Sequence, residues 1–78
     1  MSRIDVVIYE KRPGEDRHIV FVPDYGSIDY AYDLNGSVVV ATELVKNIDN
    51  GIIDKGQYTF DDFKYDQVYF RKSIEKDT

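Results

Sequence analysis

Apolar and polar positions alternate over several short stretches of this chain, and turn-forming residues separate them. Residues 3–11, Arg-Ile-Asp-Val-Val-Ile-Tyr-Glu-Lys, are rich in β-branched and aromatic types, which fit a pleated, half-buried surface. A strand there sets Ile4, Val6 and Ile8 on one face and Asp5, Val7 and Tyr9 on the other. In Arg12-Pro13-Gly14-Glu15-Asp16, Pro presets φ and Gly tolerates positive φ, as a type II turn requires. Residues 17–22, Arg-His-Ile-Val-Phe-Val, return as the second strand of a hairpin.

Pro23-Asp24-Tyr25-Gly26 signals another turn, and residues 27–33 then alternate with period two. Ile28, Tyr30 and Tyr32 fall on one side; Asp29, Ala31 and Asp33 fall on the other. Asn35-Gly36 is a strong hairpin dipeptide, and residues 37–42 are β-branched, so the pattern predicts a second hairpin. A competing reading caps a helix at Ser37, runs it to Asn50 and stops it at Gly51. Val38-Val39-Val40 weighs against a helix start, because β-branched side chains lose rotamer freedom there. The expectation is a strand to about Thr42 and a short helix or helical turn over 43–50.

Gln57-Tyr58-Thr59-Phe60 reads as a short strand and Asp61-Asp62 as a turn or bulge. Residues 65–73 read as the last strand, with a frayed tail over 74–78. The predicted fold is mainly β: one small antiparallel sheet of five to six strands with at most one short helix, α+β being the variant. The whole of 1–78 forms one domain, with no repeat, linker or low-complexity segment.

Composition narrows the function classes. The 78 residues hold no Cys, so disulfide frameworks, thiolate zinc sites and thiol nucleophiles are excluded. A small domain without such staples points to a reducing compartment, the cytoplasm. Met-Ser-Arg-Ile-Asp has no apolar run behind a basic start and does not read as a leader. No apolar run is longer than four residues, as in Val38–Ala41, far short of a membrane span. A net charge of −5 disfavours direct nucleic-acid binding and anionic membranes.

The acidity is regional. Residues 1–23 balance four acids against four bases, whereas residues 24–66 carry nine acids and three Lys. Between Arg17 and Lys46 there is no Lys or Arg at all. Asp29 and Asp33 on one strand face would stand about 13 Å apart. With Asp24, Asp54, Asp61, Asp62 and Asp66 on nearby turns, they would build a single-sign field that speeds encounter with a basic partner. Tyr25, Tyr30, Tyr32, Tyr58, Tyr65 and Tyr69 outnumber what a small core needs to bury. Tyr is a common strand residue with a wet end, but such a surplus, with Tyr30, Tyr32 and Tyr65 beside the acids, adds rigid contact area of the kind enriched in binding hot spots. The ordinary alternative is an acidic surface that keeps a small domain soluble.

Other chemistry finds little support. His18, the sole His, begins a strand beside a charged turn and reads as an exposed or half-exposed residue. No nucleophile-elbow pattern accompanies it. Asp33, Asn35 and Ser37 alternate like calcium ligands, but an EF-hand loop needs Gly at its sixth position and Glu at its twelfth. Counting from Asp33, those places hold Val38 and Leu44. Asp61, Asp62 and Asp66 could pair for acid–base work, yet so thin a domain can hardly enclose the cleft this requires. Gly residues lie singly, so no phosphate loop is present. No metal or other cofactor is expected, and no enzymatic activity.

In overall profile (tiny, Cys-free, acidic, Tyr-rich and mostly β) the chain resembles phage-encoded inhibitors, including anti-CRISPR and DNA-mimic proteins. The likeness is one of composition and transfers no residues. It implies a binding protein that blocks a basic, nucleic-acid-binding surface of a larger partner. The charge and aromatic pattern, not the likeness, supplies the candidate contact residues: Asp24, Asp29, Tyr30, Tyr32, Asp33, Asp61, Asp62, Tyr65 and Asp66. The alternatives are an immunity protein for a nuclease, or a structural subunit or homodimer assembling through a sheet edge.

Overall fold

The structure is a computed structural model that describes residues 2–76. Four strands form one antiparallel sheet: β1 (Ser2–Tyr9), β2 (His18–Val22), β3 (Ser27–Ala31) and β4 (Val68–Lys76), in the spatial order β3-β2-β1-β4. Among the described residues a single α-helix, α1 (Leu34–Asp49), follows β3. The domain is therefore α+β, with four strands in place of the expected five or six.

β1 and β2 pair as predicted, with Val7 opposite Phe21 and Ile8 opposite Val20. The alternation along β1 also holds. Ile4, Val6 and Ile8 join Val20, Val22, Ala31, Leu44, Val45, Ile48 and Ile74 in the core beneath α1. Val7 and Tyr9 face the other way and pack with Ile19, Phe21 and Phe63. Both faces of the central strands are thus buried, which explains why β2 is apolar almost throughout.

The second predicted hairpin does not form. β3 ends at Ala31, and the Asn35-Gly36 dipeptide occupies the first turn of α1 rather than a β-turn. Ser37, Ala41, Leu44, Val45 and Ile48 are buried at helical spacing. Asp33 caps the helix, its carboxylate accepting from the Gly36 amide at 2.6 Å. Burial of that stripe against β2 and β3 outweighs the helix penalty of the three Val residues.

After Gly51 the chain crosses the turn between β2 and β3. The Gly56 amide donates to the Tyr25 carbonyl at 3.1 Å, and the Tyr58 amide donates to the Gly26 carbonyl at 2.9 Å. Only glycines permit so close a crossing: a Cβ on Gly26, whose φ is +58°, would stand 2.6 Å from the Gly56 carbonyl oxygen. Residues 57–60 are accordingly not a strand. They lead into a 3-10 turn, Phe60–Phe63, that covers the face opposite the helix. The last strand starts later and runs further than predicted. Ile74 is buried and Glu75 and Lys76 continue β4, so the expected fraying from 74 is not seen up to Lys76. The end of that predicted tail, 77–78, lies outside the described residues.

Candidate functional site

Five of the nine candidate residues follow one another along the β3 edge. Asp24 is exposed on the 3-10 turn Pro23–Tyr25, whose neighbour Tyr25 turns inward and is buried. Asp29 lies opposite Val20 and so shares the helix side of the sheet, but at its open margin. Its carboxylate accepts from the Tyr30 amide at 2.8 Å. Tyr30 points to the other side, 42% exposed, with the Arg17 guanidinium 4.5 Å from its ring centre. Tyr32, 65% exposed, and Asp33 link β3 to α1. Because the strand stops at Ala31, Asp33 is not a second strand carboxylate beside Asp29. It remains exposed while capping the helix.

The other four belong to the segment on the opposite face. Asp62 closes a capping box with Thr59, accepting from its amide at 2.8 Å. Asp61 is exposed and stands 3.8 Å from Lys64. Tyr65 is 92% exposed, with the Lys64 ammonium 5.4 Å from its ring centre. Asp66 receives two parallel hydrogen bonds from Arg12, each 2.8 Å. That pairing holds the Asp66 carboxyl below its ordinary pKa despite partial burial, and raises the Arg12 guanidinium in turn. The anticipated field therefore divides in two: a β3 edge whose acids form no ion pair among the described residues, and a second group in which Asp61 and Asp66 are paired with Lys64 and Arg12.

His18 is buried rather than exposed. Its Nδ1 donates to the Tyr9 carbonyl at 2.8 Å, and its ring stacks on Tyr69 with centres 4.7 Å apart. This arrangement ties the end of β1 to β4. Among the described residues, no three His, Asp or Glu side chains converge where they could hold a metal ion. No helix among them is long and apolar enough to cross a membrane.

Two further surfaces could not be placed from the sequence. One is a groove of about 360 Å³ between α1 and β4, lined by Thr42, Val45, Lys46, Asp49, Ile74 and Lys76 among others. At its end the Tyr25 hydroxyl donates to Asp49 at 2.7 Å, and Lys76 lies 3.4 Å from the same carboxylate. Burial, reinforced by Asp49, raises the Tyr25 hydroxyl above the usual phenol range, and Lys76 partly offsets the rise. The other surface is β4 itself, where Val68, Tyr69 and Phe70 are each at least 42% exposed on an outer strand. The signal was three adjacent apolar residues at a strand start, which the linear pattern could not assign to an edge. Compared with protein-family models, curated proteins and solved structures, the chain matches none.

Proposed function

We propose that this protein is a non-enzymatic binding protein, and that it acts by seating its acidic β3 edge on a basic, nucleic-acid-binding surface of a larger protein. One observation supports this above others. The part of the chain between Arg17 and Lys46, without Lys or Arg, contains the outer strand β3, and Asp24, Asp29 and Asp33 are exposed along it. Carboxylates spaced along a firm edge attract Lys and Arg side chains that otherwise face phosphates, and aromatic neighbours supply short-range contact. Tyr30 and Tyr32 are those neighbours. Occupation of the basic surface excludes nucleic acid sterically and electrostatically. The compositional likeness to phage-encoded inhibitors favours the same class of partner, met in the cytoplasm.

The test is capture from a host lysate on the immobilised protein, eluted with a salt gradient, with an Asp24→Lys/Asp29→Lys variant in parallel. Asp33 is left intact because it caps α1. The expected result is release of a nucleic-acid-binding protein at moderate salt, since exposed charge pairs are screened over about 8 Å at physiological ionic strength. The variant should bind that protein at least about tenfold more weakly, a loss of roughly 1.4 kcal/mol, with an unchanged circular dichroism spectrum. Equal binding by the variant, or a partner held regardless of salt, would overturn this reading.

A further inference from the structure

β4 is a nine-residue edge strand whose outer side pairs with nothing among the described residues. It contains no Pro and, apart from Ser73, Ile74 and Lys76, its residues are exposed. Unpaired amides and carbonyls on such a strand are a template for another strand. The opposite edge, β3, has five residues and is acidic, whereas β4 carries Arg71, Lys72 and Lys76 against Glu75 alone.

The charge order within β4 selects the partner. Arg3, Asp5 and Val7 of β1 lie opposite Glu75, Ser73 and Arg71, so these three β4 residues share the face away from α1. Phe70, Lys72, Ile74 and Lys76 occupy the helix side, opposite Ile8, Val6, Ile4 and Ser2. When two β4 strands meet antiparallel about a twofold axis through Ser73, each residue faces the one equally far beyond the centre. Arg71 of each copy then meets Glu75 of the other, twice over, and Ser73 meets Ser73. On the helix side Lys72 lies against Ile74, and Phe70 against Lys76, whose methylene stems cover apolar surface. Opposite charges directly across strands stabilise, and like charges destabilise. Arg71 makes no ion pair within one chain among the described residues and only lies over the Phe60 ring, 5.9 Å from its centre. Glu75 stands 3.4 Å from Arg3 of its own chain, but both side chains are more than half exposed, so its carboxylate can take a second cation from the other copy.

We infer that the protein forms a twofold homodimer by antiparallel β4–β4 pairing centred on Ser73, which joins two four-stranded sheets into one of eight strands. The acidic β3 edges then lie at the two outer ends, where a dimer presents two copies of the binding edge. The pairing rests on residues apart from that edge, so either reading can fail without the other.

Sedimentation velocity over a concentration series tests the inference, with three variants whose folding is checked by circular dichroism. Arg71→Glu and Glu75→Arg each set like charges opposite one another and should weaken the dimer at least about tenfold. The double variant Arg71→Glu/Glu75→Arg restores opposite charges and should recover dimerisation, which a general surface effect would not do. A Ser73→Cys variant supplies a chain otherwise free of Cys with one thiol at the proposed axis. Mild oxidation should link it into a covalent dimer faster than Lys72→Cys, whose partner in this register is Ile74. A protein that stays monomeric at millimolar concentration, or a dimer indifferent to both charge reversals, overturns the proposal. Growth beyond two copies also overturns it, because it would mark head-to-tail pairing of β4 with the acidic β3 edge.

Discussion

Among single residues, Asp66 has the clearest energetic role. Arg12 grips it with two parallel hydrogen bonds, and the carboxylate side chain is only 10% exposed while the guanidinium is 48% exposed. A charge-assisted pair of this geometry is stronger than a solvent-exposed one, although exposure of Arg12 limits the gain to about 1 kcal/mol. The folded-state pKa of Asp66 is lowered, first by the Arg12 hydrogen bond. Its contribution is therefore complete above the ordinary carboxylate range and is lost as the pH falls through the lowered value. Asp66→Asn should destabilise by about 1 kcal/mol at neutral pH, and urea titrations should show the gap closing in acid. A gap that persists unchanged at low pH would show that packing, not the ion pair, was lost. Asp66 was legible in the sequence as one acid among several in an acidic region. Its partner, 54 residues away, was not, because nothing local links a turn before β2 to a turn before β4.

For individual elements, success depended on how much of the folding energy was local. The β1–β2 hairpin was readable because alternation, β-branching and a Pro-Gly turn agree. β3 was readable as far as Ala31 for the same reason. The helix is not legible over its first turns because Val38-Val39-Val40 and Asn35-Gly36 both speak locally for strand and turn. Val costs about half a kcal/mol in a helix relative to Ala, whereas burying one Leu or Val gains roughly 1.5–3 kcal/mol. Leu44, Val45 and Ile48 on the buried face of α1 therefore decide the outcome. The same helix turns Asp33 from a strand carboxylate into a cap, so the candidate acidic edge was only partly legible. Asp33→Ala should cost about 1 kcal/mol of stability and Asp33→Asn much less, since Asn also caps. Thermal or urea midpoints of the two variants check this. Equal loss in both would mean that the negative charge beside the helix N-terminus matters more than the hydrogen bond.

For the whole molecule, the sheet is covered by two unlike layers. One is a 16-residue helix over a broad aliphatic core. The other is an irregular segment held mainly by Phe63, whose ring centre lies 4.9 Å from that of Tyr9 and 4.8 Å from that of Phe21. Phe60 touches Phe21 edge-on but is 50% exposed. Sequence reasoning missed this second layer because its anchoring side chain sits among acids and polar residues with no periodicity. A chain of this size has a total stability of order 4–12 kcal/mol. Removing the Phe63 ring should cost about 3 kcal/mol or more, since a buried Phe truncated to Ala loses both transfer energy and packing. Phe60→Ala should cost well under half of that. Val7 and Phe21, fully buried beneath the segment, would be uncovered in Phe63→Ala, so hydrogen exchange should accelerate in residues 57–66 before it does in α1. If both Phe variants lose the same stability, or if α1 opens first, the segment is not an independent cover and the two layers fold as one unit.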